Sequence, residues 1–142
     1  MDLGGILNPR AWMIVASLVV VLMLGIGPMM ASSGDIADMA EDEFGELYTT
    51  ASDADKETIE EIVKTEAYFF GAANVAIALF VLGFAFLTEG TTRAKSALFS
   101  GVSLILWSIY SQGELDMGAI TFYSVVSAPM IIAGVLHLKE DE

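Results

Sequence analysis

The chain has 142 residues, is 55% hydrophobic, and carries a formal net charge of −13 from 19 acidic and 6 basic residues. It has no cysteine, which excludes disulfides, thiolate nucleophiles and cysteine-ligated zinc or iron–sulfur centres. The acidity argues against a nucleic-acid partner, which would need a basic patch.

High charge and high apolarity coexist because they are separated along the chain. Residues 11–32 form the first uncharged stretch, preceded by Arg10. A helix needs roughly 20 apolar residues to cross a hydrocarbon core of about 30 Å, and this stretch qualifies. Gly25, Gly27 and Pro28 are expected to loosen its far end. A signal peptide is the competing reading, with "ASS" at 31–33 as cleavage site. The apolar run, however, exceeds the 7–15 residues usual for such a segment.

Residues 33–66 hold 12 of the 19 acids and two lysines. Ile36, Met39, Phe44 and Leu47 recur at a rough helical spacing. Ser52, with Asp55 three residues on, reads as a helix N-cap. Ile59, Ile62, Val63 and Tyr68 then carry the helical pattern onward, supported by Lys56–Glu60 and Glu60–Lys64 pairs. The second span is therefore expected to project beyond the membrane, with the acidic segment as a partly helical cap. A calcium loop starting at Asp53 fails because Thr58 stands at the glycine position and Lys64 at the terminal glutamate position. The segment reads as a solvated acidic face, and an anionic lipid surface is a poor partner for it.

Residues 67–87 form the second span. At 100° per residue, Ala67, Gly71, Asn74, Ala78 and Ala85 share a 60° sector, and Ala72, Ala76 and Gly83 form a second small-residue sector. Small side chains let helix backbones approach, and interhelical hydrogen bonds add to the attraction. Two such sectors predict neighbours on two sides.

Residues 96–112 form the third span, shorter and richer in serine. Ser96, Ser100, Ser103, Trp107, Tyr110 and Ser111 fall within about a third of the circumference at that helical pitch. The short connection makes spans two and three antiparallel neighbours, so the serine stripe is expected to face the Asn74 stripe. Span four covers residues 118–138, with Pro129 predicted to kink it and His137 near its end.

Basic residues set orientation. Arg10, Arg93, Lys95 and Lys139 would share one side if all four spans cross, which places both termini in the cytoplasm and residues 33–66 outside it. No Asp, Glu, Lys or Arg lies deep in any span, which disfavours ion-coupled transport. There is no phosphate loop, dinucleotide fingerprint, nucleophile elbow or histidine pair. His137 reads as structural, and the aromatic residues near span ends read as an interfacial belt. The one cluster suited to a hard cation is an outer rim of Glu66, Glu114 and Asp116.

The expectation is an all-α polytopic integral membrane protein, a four-transmembrane-helix bundle forming a single domain in the lipid bilayer. It is expected to act without catalysis by assembling as a homo-oligomer or with other membrane subunits. Gly71, Asn74, Ala78, Ser96, Ser100, Ser103, Trp107 and Tyr110 are its packing residues. The alternatives are a passive channel for cations or small uncharged solutes lined by those same residues, and an enzyme built on the rim carboxylates. No cofactor is expected beyond a divalent cation held loosely by the acidic surface.

Overall fold

The computed structural model describes residues 7–111 and 117–138, and every regular element among them is helical. The elements are α1 (Pro9–Val19), a π-helical stretch (Val20–Ile26), α2 (Gly27–Met29), α3 (Ser33–Phe44), α4 (Glu46–Thr49), α5 (Asp53–Leu87), α6 (Gly90–Ser111) and α7 (Met117–His137). Three of these helices are long and apolar enough to cross a membrane: Pro9–Met29, Asp53–Leu87 and Met117–His137. Their outward side chains, among them Leu22, Phe80, Phe86, Val125 and Ile132, are large, apolar and exposed. Water tolerates contiguous apolar surface of that kind poorly, whereas a bilayer accepts it.

α6, at 22 residues, has the length of a span, about 33 Å at the α-helical rise. Arg93 and Lys95 near its start and its several serines make it less apolar than the other three. The fourth crossing expected from the sequence is therefore not among the helices that length and composition mark as spans.

The chain divides into two compact units. One runs up to Val20 and resumes at Ala76; the other is Val21–Val75.

In the first unit α6 packs against α7, and α1 packs against both. Asn8 starts α1 by accepting the Arg10 N–H at 2.9 Å, with Pro9 in the first turn, where its missing N–H costs nothing. Gly90, at φ 49°, turns the chain from α5 into α6. Two glycines bring α6 and α7 together. A β-carbon at position 134 would stand 2.8 Å from the Ala94 carbonyl oxygen and 2.9 Å from the Leu98 nitrogen. One at position 101 would collide with the Ile131 side chain. Met13, Leu104, Tyr123 and Met130 fill the rest of this core.

In the second unit the acidic segment folds on the first part of α5. Ile36, Ala40, Tyr48 and Val63 form its core, with Phe44, Ile59 and Ala67 packed against them. The sequence sets the bend at each end. Ser32 and Asp35 form a capping box at the start of α3. Gly45, at φ 54°, ends α3 and begins α4. Ser52 accepts the Asp55 N–H at 3.3 Å and donates to the Asp55 carboxylate at 2.6 Å.

Gly25, Gly27 and Pro28 do not break the first long helix. The backbone instead widens into the π-helical stretch of seven residues, then returns to α-helix at Gly27–Met29.

Candidate functional site

The residues singled out from the sequence fall in two neighbourhoods. On α5, Gly71, Asn74, Ala78 and Ala85 are all buried, with Ala67 partly so. The Gly71 position explains part of that burial. A β-carbon there would collide with the Gly25 carbonyl oxygen and lie 2.6 Å from Met29 Cγ. The first long helix and α5 thus cross main chain to main chain at Gly25 and Gly71. One turn along, Asn74 has no exposed surface, and its Nδ2 donates to the Phe70 carbonyl oxygen at 2.9 Å. This bond ties one amide hydrogen to the helix's own main chain.

On α6 the buried face differs from the serine stripe. Ala94, Ala97, Ser100, Gly101, Leu104 and Ser108 are buried. Ser96, Ser103 and Trp107 are half-buried, and Tyr110 is 82% exposed. The buried face is turned by about a quarter of the helix circumference from the predicted stripe, and Ser100 lies where the two overlap. The reason is steric. Alanine and glycine permit a closer approach than serine, and Gly101 seats the Ile131 side chain beside Ser127. Tyr110 accordingly sits off the α6–α7 contact.

Gly25, Gly101 and Gly134 are the positions that the sequence reading missed as points of contact. Each is a glycine inside a helical stretch. The signal available was a glycine's cost inside a helix, which calls for a packing reason.

Several hydroxyls line the first unit. Ser17 donates to the Met13 carbonyl at 2.8 Å and Ser108 to the Ile105 carbonyl at 2.7 Å. The Ser100 and Ser127 Oγ atoms and Trp107 Nε1 are buried and have no hydrogen-bond partner among the described residues. These groups can bind a polar neighbour or water. None can act as a general acid or base near neutrality, because hydroxyls and indole do not titrate there.

Titratable chemistry lies in the acidic segment. Tyr48 donates to Glu60 Oε1 at 2.5 Å, and Lys56 Nζ sits 5.5 Å from the Tyr48 ring centroid. The hydrogen bond to Glu60, together with burial, pushes the Tyr48 phenol up to about 12. At the start of α3, bonds from Ser32 hold the Asp35 carboxyl below its ordinary value. An open groove of about 500 Å³ in the same segment is lined by Leu47, Ala51, Asp55 and Ile59 among others.

Of the expected cation rim, Glu66 is exposed on α5, while Glu114 and Asp116 lie outside the described residues. Among the described residues no three His, Cys, Asp or Glu side chains gather as a metal would need. His137 Nδ1 lies 2.9 Å from the Ala133 carbonyl oxygen, one turn back on its own helix.

No protein-family model, curated protein or solved structure matches the chain.

Proposed function

We propose that the chain is a small four-span membrane protein that works by assembly, as a homo-oligomer or as an accessory subunit of a membrane complex, and not by catalysis. In this reading α6 is the third span. Both termini are cytoplasmic, and residues 33–66 stand outside as an acidic cap.

One observation supports assembly above the others. Among the described residues, nothing approaches the α5 surface at Gly83 closely, and Ala76 lies on the same strip. Ala76 is exposed, and a β-carbon at position 83 would meet nothing within 4 Å. Leu79 and Phe80, the latter 72% exposed, flank this small-residue strip. Small residues seven apart, framed by large apolar ones, suit a second helix better than lipid chains alone, because the close approach gains backbone contact. Light scattering of the detergent-purified chain tests the proposal. An oligomer that Gly83→Leu converts to monomer, with unchanged helix content, is the expected result. A wild-type monomer unaffected by the substitution counts against a homo-oligomer.

A second reading, a passive channel for cations or small uncharged solutes, has its own support in the buried Ser100 and Ser127 hydroxyls, which have no hydrogen-bond partner among the described residues. Water threading past them would satisfy both. Solute flux across vesicles containing the protein tests it; no flux above that of empty vesicles removes it.

A further inference from the structure

The groove in the acidic segment lies wholly within the second unit. Its apolar lining comes from Leu47 on α4, Ala51 in the turn that follows, and Ile59 on α5. Leu47 is 65% exposed, although its neighbour Tyr48 is buried in the core of the unit. A lone exposed leucine is ordinary. One that lines a concavity with two further apolar side chains is surface suited to a partner.

The polar lining is one-sided. Thr50 Oγ1 donates to the Glu46 carbonyl oxygen at 2.6 Å and Thr58 Oγ1 to the Ala54 carbonyl oxygen at 3.0 Å. The Ser52 hydroxyl donates to the Asp55 carboxylate. A hydroxyl has a single proton to give. The side chains of Thr50, Ser52, Asp55 and Thr58 therefore offer an incoming group only acceptors.

The surrounding charge has the same sense. Seven acids and one lysine lie between Glu41 and Glu57, and all seven acids are exposed. The lysine is Lys56, half-buried, with its ammonium held 5.5 Å from the Tyr48 ring centroid. Such a surface repels a second copy of this segment and an anionic lipid headgroup alike. It attracts a cation that carries apolar surface of its own.

We propose that this groove docks a basic amphipathic segment of a partner protein, with apolar side chains against Leu47, Ala51 and Ile59 and lysine or arginine side chains toward Asp55 and the flanking carboxylates. Helix-in-groove recognition works by this division of labour: apolar anchors supply affinity, and charge supplies orientation and choice of partner. The inference stands whether or not the protein assembles through α5.

The test titrates the full chain, held in phosphatidylcholine nanodiscs, with fluorescent helical peptides, and takes empty nanodiscs as the blank. A leucine–lysine peptide should bind and saturate at one peptide per chain. Leucine–glutamate and serine–lysine peptides should each bind about tenfold more weakly or worse. Leu47→Ser should weaken the leucine–lysine peptide about tenfold, as expected for losing the burial of most of a leucine side chain. Leu47→Met should keep the affinity. Asp55→Asn should weaken binding about threefold and reduce its dependence on salt. A photoreactive leucine analogue in the peptide should label the stretch from Leu47 to Ile59. Equal binding of the serine–lysine peptide would leave charge alone as the cause, and equal binding of the leucine–glutamate peptide would leave apolar contact alone; either overturns the proposal. So does wild-type affinity in Leu47→Ser with unchanged helix content, or labelling outside that stretch.

Discussion

Gly71 on α5 faces the carbonyl oxygen of Gly25 so closely that no β-carbon fits between them, and the Met29 side chain closes the same space. Backbone meets backbone at this crossing, within the π-helical stretch of the first long helix. Neither partner can yield by rotating a side chain.

Gly71→Ala is therefore expected to lower stability by about 1–3 kcal/mol, the usual range for overpacking a tight interior. Thermal unfolding in detergent measures it. Gly83→Ala, where a β-carbon meets nothing within 4 Å, serves as the matched control and should leave the melting temperature of a monomeric preparation unchanged or higher. Equal losses at both positions would mean that helix propensity, and not the crossing, governs Gly71.

The α6–α7 pair offers an independent case. Gly134→Ala would press a methyl group against the Ala94 carbonyl oxygen and the Leu98 nitrogen, both main-chain atoms. A loss of about 1–3 kcal/mol is expected here too. Gly101→Ala meets the flexible end of Ile131 instead, so its loss should be the smaller of the two. The reverse order would show that the helices separate more readily than the packing implies.

Asn74→Leu removes a fully buried amide whose Nδ2 donates to the Phe70 carbonyl. The variant must fit a branched side chain where a planar one stood. We expect a lower melting temperature, equivalent to about 1 kcal/mol for the polar contact alone. An unchanged melting temperature would remove Asn74 as a source of cohesion.

In the acidic segment, pH should act through Tyr48. Its folded-state pKa is raised to about 12, chiefly by the hydrogen bond to Glu60. The protonated phenol is thus favoured in the folded state. Its contribution is complete below the ordinary phenol value near 10 and is lost as pH rises from there through about 12. Absorbance titration of the phenolate should show a late phase near pH 12, and Tyr48→Phe should abolish it. Asp35 acts in the opposite direction. Its carboxyl is held down by Ser32, so its contribution is present above the ordinary carboxylate value and lost as pH falls through the folded one. A Ser32→Ala variant should lose that acid-side dependence.

Patterns along the chain carried the helical class, the three long apolar helices, the acidic segment between the first two, and the Ser52 cap, because each depends on neighbours in sequence. Twenty uncharged residues and a serine three positions before an aspartate need no tertiary partner to have meaning. The Gly71–Asn74–Ala78–Ala85 face was legible for the same reason: a helical period fixes which residues point together. A period does not say what lies opposite. On α6, serine, alanine and glycine offered two adjacent faces of similar polarity, and only the fit of Gly101 and Gly134 against the opposing helix selected the alanine–glycine one. That choice left Tyr110 outside. The Gly25–Gly71 crossing and the Tyr48–Glu60 bond both depend on how close two separate stretches come. Sequence periodicity carries direction without distance, and at these contacts a few tenths of an ångström separate attraction from collision.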